Sequence, residues 1–325
     1  MQKIKNIIFL VFIALALISC KSENNIQTVA KQVSEEIMEQ YEPLAGVMTL
    51  VADAKTGEII ASVDIGGTGE NRPDIYTYEP GSLFKIFSIS SIMFLPDGIT
   101  ADSKFNCEGF YDQVKSNPIK CIKAHGEIDT GDIIKYSCHP GTCYAVEKVT
   151  NKELYFMLSQ FDFGKMPGWI LPPEEWSERS KYTIALGQEI AVTAKQVVKA
   201  ATVFANHGML GDNEVEVLSP KVADAMLLMM EKAAEPDGIA RLLGVKDCRV
   251  AIMPGTAKWY DPEIKAYSDT KFVASALAIF PVEAPKYIVY NVVLHLSKGG
   301  ITTGTGICVP AVGKIINGIN ALSSP

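Results

Sequence analysis

The sequence predicts an α/β (α+β) domain: a mostly antiparallel sheet flanked by helices, with an all-helical lobe inserted into it. Three observations carry this. Runs rich in β-branched residues occur at both ends of the chain, helical periodicity fills the middle, and a helix closes the C-terminus. Strands that flank a helical middle pair most simply with each other, so the middle becomes an excursion from one sheet. The chain has 325 residues, 48 % of them hydrophobic and 21 % charged, which is enough for a large core and excludes wholesale disorder. Lys and Arg number 30 against 37 Asp and Glu, a net charge of −7 that disfavours nucleic acid as a partner.

Taken in order, Lys3 and Lys5 precede an unbroken apolar run from Ile7 to Ile18 that ends in Leu17-Ile18-Ser19-Cys20. The run is too short to span a bilayer, which takes about 20 residues, but suits a signal peptide. Its end looks like a bacterial lipobox. The expectation is a lipoprotein signal peptide over 1–19, lipidation of Cys20, and a protein anchored to a membrane in the cell envelope. A plain signal peptide and an uncleaved anchor are the alternatives. Residues 20–43 read as a tether and a short helix, and 44–325 as the domain. Val47–Asp53 and Glu58–Val63 form a hairpin across Ala54-Lys55-Thr56-Gly57. Ser82–Leu95 is a helix apolar nearly all round, stopped by Pro96-Asp97-Gly98. The helical lobe runs from about 95 to 235. Within it, Thr193 and Gln196 have capping-box spacing ahead of the apolar face of Val197, Val198, Ala201 and Phe204. Pro220–Ala233 is a further helix. Strands from Arg249, over Phe272–Phe280 and over Tyr287–Leu296 follow, and Val309–Leu322 is the final helix.

The chemistry starts at Ser82-Leu83-Phe84-Lys85. Residues i and i+3 share one helix face, so the lysine reaches the serine hydroxyl. A lysine dehydrated by an apolar helix can lose its proton and act as base. The serine stands where helix N–H groups favour negative charge. Spacing alone is weak, because Ser268-Asp269-Thr270-Lys271 matches too, in a loop entering a strand.

The wider segment Tyr78-Glu79-Pro80-Gly81-Ser82-Leu83-Phe84-Lys85 resembles the nucleophile segment of penicillin-binding protein transpeptidase domains. The resemblance continues through Asp53–Ile59, Asn71-Arg72, Gly187-Gln188, Val192-Thr193, Val250–Ala257 and Phe272–Ser275, and covers about residues 44–325. It points to class B members of the elongation type, within the serine DD-peptidase and class D β-lactamase superfamily. It implies that fold, with Ser82, Lys85 and Ser137 as catalytic residues. The second family motif, S-x-N or S-x-D, reads Ser137-Cys138-His139 here. The third, K-T-G, reads Met253-Pro254-Gly255 followed by Thr256. His139, Gly255 and Thr256 are thus the expected substrate-binding residues, while the third-motif lysine is lost. In the family that lysine meets the substrate carboxylate, and its field keeps the S-x-x-K lysine neutral. Losing such a charged contact costs about 2–5 kcal/mol. Lys258, two residues beyond Thr256, is an imperfect substitute.

Seven cysteines are present, and four lie between 107 and 143. In an exported protein disulfides are the default. Cys107, Cys121, His125 and Cys138 also form a Cys₃His set suited to zinc. The resemblance strengthens a structural zinc ion, because some elongation-type members bind metal through a similar arrangement. A Cys107–Cys121 or Cys138–Cys143 disulfide and free buried thiols remain the rivals.

Two functions follow from the resemblance. One is a serine D,D-transpeptidase or carboxypeptidase that acts on D-Ala-D-Ala stem peptides of peptidoglycan and is acylated by β-lactams. The other is an impaired β-lactam or muropeptide sensor, or a scaffold for cell-wall synthesis proteins. A class D β-lactamase-like hydrolase is a third.

Overall fold

The structure, a computed structural model, describes residues 25–323 except 68, 70, 115–116, 213–214, 262–263 and 298–299. The signal-peptide segment and Cys20 lie outside the described residues. Among the described residues no helix is long and apolar enough to cross a membrane.

The organising element is a five-stranded antiparallel sheet. In chain order its strands are β1 (Val47–Asp53), β2 (Ile59–Ile65), β9 (Ala251–Asp261), β10 (Ala266–Phe280) and β11 (Tyr287–Ser297), arranged β2-β1-β11-β10-β9. The terminal strands pair as expected, with Leu50 opposite Tyr290 and Val51 opposite Val289. Asp53 closes the first hairpin by accepting from the backbone N–H groups of Lys55 and Thr56. Strand alternation gives the sheet two apolar faces. Met48, Leu50, Met253, Leu277 and Tyr290 face the lobe, while Val47, Val51, Ala276, Ala278 and Val293 face away.

The outer face is covered by helix α1 (residues 25–41) and by the C-terminal helix α10 (Cys308–Ser323). Within residues 20–43, read as a tether and a short helix, the helix takes up 25–41. Ile26, Ala30, Val33 and Ile37 recur every three or four residues and are buried on the sheet. Ser34 Oγ adds a 2.8 Å hydrogen bond to Thr49 on β1.

The lobe holds α3 (Lys85–Phe94), α4 (Thr130–Lys135), α5 (His139–Val146), α6 (Asn151–Gln160), α7 (Ser180–Ala185), α8 (Ala194–Ala205) and α9 (Pro220–Lys232), with α2 (Arg72–Ile75) ahead of it. It is not wholly helical. Three two-stranded ribbons interrupt it: β3 (Lys104–Cys107) with β6 (Gly126–Asp129), β4 (Phe110–Tyr111) with β5 (Ile119–Lys120), and β7 (Trp169–Ile170) with β8 (Ile190–Ala191). The Thr193–Gln196 capping box is formed in both directions, at 3.2 and 3.0 Å. Helix α3 and the turn before it run through the core and bury Phe84 against Phe163, and Phe87 against Phe161, Phe163 and Phe204. The edge strand β9 faces the start of α3, and that meeting builds the site.

Candidate active site

Ser82 does not stand in the α-helix itself. Gly81–Phe84 is a 3₁₀ turn, and the α-helix begins at Lys85. In a 3₁₀ turn side chains at i and i+3 eclipse, so Ser82 and Lys85 are brought together more closely than α geometry would place them. Lys85 Nζ lies 2.7 Å from Ser82 Oγ. Gly81 makes the turn possible, with φ of +59°, its N–H held by Gly187 O at 2.9 Å, and no room for a side chain against Thr256.

Lys85 is fully buried, and burial pulls its ammonium down to about 7 against the smaller opposing pull of the nearby cysteine sulfurs. The lysine is therefore poised as a neutral base without help from a third-motif lysine. Its second contact is Ser137 Oγ at 3.0 Å.

Ser137 occupies a strained backbone position. Helix α4 ends at Tyr136, Ser137 takes φ of +53°, and the N–H groups of Ser137 and Cys138 bond back to Ile134 O and Ile133 O at 3.1 and 2.9 Å. That is a Schellman ending, with serine where glycine is usual. A left-handed non-glycine residue costs about 1–3 kcal/mol and marks a position held for another reason. Here the ending aims the hydroxyl at Lys85.

His139 follows as the first residue of α5. Its Nδ1 is 2.8 Å from Lys120 O, which can only accept, so the proton sits on Nδ1. Nε2 is left as an acceptor 3.3 Å from Ser82 Oγ. Burial first, and Lys85 second, push its imidazolium down to about 3, so the ring is neutral at neutral pH.

The opposite wall is β9. Thr256 lines the groove beside Ser82, and its hydroxyl accepts from Gly304 N at 3.0 Å. Gly255, expected to touch substrate, does not line the groove. It packs behind the nucleophile turn, where a Cβ would meet Pro80 O at 2.4 Å. Met253 is fully buried in the lobe-facing core, opposite Leu277. Lys258 is not its replacement, because it is paired with Asp269 at 2.7 Å on the surface. The second tetrad lies within β10, with Lys271 over the Trp259 ring at 4.6 Å and Ser268 bonding locally to Thr270.

The groove measures about 400 Å³. Lys120, Arg179, Thr183 and Gln188 line it too, and of these only Gln188 stood in a segment the sequence singled out. Among the described residues Glu79, two residues before Gly81, accepts from Tyr267 and from Glu189 N, and burial lifts its carboxyl to about 7.

Cys107, Cys121, His125 and Cys138 converge beside Ser137, with one ligand atom from each within 4.8 Å of the others. His125 Nδ1 is 3.5 Å from Cys107 Sγ and 3.7 Å from Cys121 Sγ, and the sulfurs of Cys121 and Cys138 are 3.9 Å apart. A tetrahedron with Zn–S near 2.3 Å and Zn–N near 2.0–2.1 Å has edges of about 3.5–3.8 Å, so the set fits zinc. The Cys121 and Cys138 sulfurs share a hydrogen bond, and that contact lowers one thiol, Cys121, while it raises the other. His125 is stacked on Tyr136 at 5.1 Å. The six cysteines among the described residues form no disulfide, which sets aside both pairings weighed from sequence.

Comparison with known proteins agrees with this geometry. The profile of the penicillin binding protein transpeptidase domain matches residues 47–310. Stage V sporulation protein D of Bacillus subtilis is 24% identical, over 90% of this chain and 52% of its own length. Peptidoglycan D,D-transpeptidase FtsI of Escherichia coli K12 is 22% identical, over 83% of this chain and 50% of its own length. The chain thus spans about half the length of these relatives. Among solved structures, the transpeptidase domain of Burkholderia pseudomallei penicillin-binding protein 3 superposes with a TM-score of 0.83 at 24% identity, covering 93% of this chain and 96% of that one. Penicillin-binding protein 3 of Mycobacterium tuberculosis in complex with aztreonam gives 0.78 at 21%, covering 90% and 76%.

Proposed function

This chain belongs to the penicillin-binding protein transpeptidase domain family, and on that premise we propose that it is a serine acyltransferase acting on D-Ala-D-Ala stem peptides of peptidoglycan. The observation that carries the reading is the Ser82–Lys85–Ser137 chain, with contacts of 2.7 and 3.0 Å around a buried, deprotonatable lysine. Ser82 Oγ attacks the carbonyl carbon of the terminal peptide bond while its proton passes to Lys85 Nζ. Negative charge develops at the N-terminal end of the 3₁₀ turn that leads into α3, where N–H groups lack partners within the turn. The C–N bond then breaks, the proton reaches the leaving D-alanine amine through Ser137 Oγ, and an acyl ester remains on Ser82. An acceptor amine completes transpeptidation; water completes carboxypeptidation. In the resting site Lys85 donates to Ser82 Oγ and the single hydroxyl proton points to neutral His139 Nε2; for attack that proton turns to the neutral Lys85 Nζ.

β-Lactams are expected to form the same ester. Intact-mass analysis after exposure to a labelled penicillin tests the reading. A label on Ser82 supports it. No label at millimolar drug and long times supports instead the second reading, a sensor or scaffold among cell-wall synthesis proteins, which Met253 and Pro254 favour.

We further propose that Cys107, Cys121, His125 and Cys138 hold a structural zinc ion. Bound there, the metal would cross-link the β3–β6 and β4–β5 ribbons to the start of α5. Metal analysis of protein purified without chelator tests occupancy. Export and a lipid anchor on Cys20 complete the proposal and place the domain in the cell envelope, at a membrane surface. Mass analysis of the detergent-extracted N-terminus tests that part.

A further inference from the structure

We propose that Arg179 is the anion-binding residue of the reactive groove, and that it receives a carboxylate of the substrate in place of the lysine missing from the strand edge. The inference rests on the functional reading above. Arg179 lines the groove with Ser82, Thr256, His139 and Lys120. Among the described residues the groove wall carries two permanent cations and no carboxylate, in a chain whose acids outnumber its bases 37 to 30. Lys120 is exposed, whereas Arg179 is half-buried, so a contact with Arg179 is the less screened of the two.

Among the described residues the guanidinium is also largely open. It has five N–H donors, and one goes to Asn117 O at 2.5 Å. Among the described residues it has no carboxylate within ion-pair distance, whereas Arg72 is paired with Asp64, and Arg249 with Glu231 and Glu283. Its backbone is fixed at the start of α7, where Arg179 O accepts from the N–H groups of Tyr182 and Thr183 at 3.0 and 3.2 Å. A planar fork on a fixed backbone suits bidentate carboxylate recognition. Among the described residues the strand edge at the third motif offers no rival cation, with Met253 apolar and Lys258 bound to Asp269. A D-Ala-D-Ala stem peptide supplies a carboxylate at its terminus, and acidic side chains on its acyl side can supply another.

Three probes separate these sources: benzylpenicillin, with one ring carboxylate; its methyl ester, with none; and carbenicillin, with a second carboxylate on the acyl side chain. Ser82 acylation is followed by intact mass for wild type, Arg179→Gln and Arg179→Lys. The expected result is a loss of at least tenfold in Arg179→Gln for benzylpenicillin, with its methyl ester changed less than twofold and Arg179→Lys intermediate. That pattern assigns Arg179 to the terminal carboxylate. A tenfold loss confined to carbenicillin also supports the proposal and assigns Arg179 to the acyl side. Equal slowing of all three probes, ester included, overturns it and leaves Arg179 as a strut for the Asn117 loop. Unchanged rates overturn it as well. Wild type that takes no label from any probe overturns the functional reading itself, a result visible before any variant is made.

Discussion

The two walls of the groove differ in what they contribute. The lobe wall is dense with polar contacts: Lys85, Ser137 and His139 are each held by named hydrogen bonds around Ser82. The strand wall has the family's backbone course but not its charge, with buried Met253 and Pro254 ahead of Thr256. The contrast separates two tasks. Making a nucleophile requires only a dehydrated amine at hydrogen-bonding distance, which burial in the lobe supplies. Recognising an anionic substrate requires a cation, which burial cannot supply.

The sharpest way to break this contrast is at the lobe wall. Ser82→Ala abolishes covalent labelling, and Lys85→Ala lowers it by about 10²–10⁴-fold; label persisting on Ser82→Ala would remove the nucleophile assignment. The next effect is the pH profile of wild type. Lys85 acts as base only when neutral, and its ammonium titrates near 7. Acylation should therefore level off about a unit above that point and fall about tenfold per unit well below it. A flat profile between pH 5 and 8 would mean that Lys85 is not the proton acceptor. At the strand wall, Met253→Lys together with Pro254→Thr should raise acylation about tenfold, while Met253→Lys alone lowers the melting temperature, because Met253 is fully buried among apolar side chains. An unchanged rate in a folded double variant would show that the lobe alone sets the rate. The smallest effect concerns Ser137. Replacing it with Gly relieves the left-handed backbone and should stabilise the fold by about 1 kcal/mol, measured by denaturant melts, while acylation slows. Lower stability would mean that the hydroxyl's bond to Lys85 outweighs the strain.

How much was legible in the sequence follows the range of each interaction. Ser82 and Lys85 are three residues apart, so local geometry reveals them, although not that a 3₁₀ turn joins them. Ser137 is 52 residues away and emerges only through resemblance, since no local pattern ties a helix ending to a distant lysine. Arg179 and Lys120 come from a helix start and a two-residue strand, which carry no periodicity to read. A short helix was expected ahead of residue 44; Ile26, Ala30, Val33 and Ile37 carry its period, but its polar surface disguised its length. The Cys₃His set could be assembled from composition, whereas its convergence depended on the β3–β6 and β4–β5 ribbons.

The close approach of β9 to the nucleophile turn sets unequal tolerances to substitution around the groove. A methyl group at Gly255 would overlap Pro80 O at 2.4 Å and Ser275 Oγ at 2.6 Å, and one at Gly81 would strike Thr256 O at 2.3 Å. Replacing either glycine would push the strand away from Ser82 and open the groove for every substrate. Met253 is limited differently, by the apolar core in which it is fully buried. Backbone packing therefore fixes the gap between Thr256 and Ser82, and the width of the groove is set independently of the side chains that line its rim.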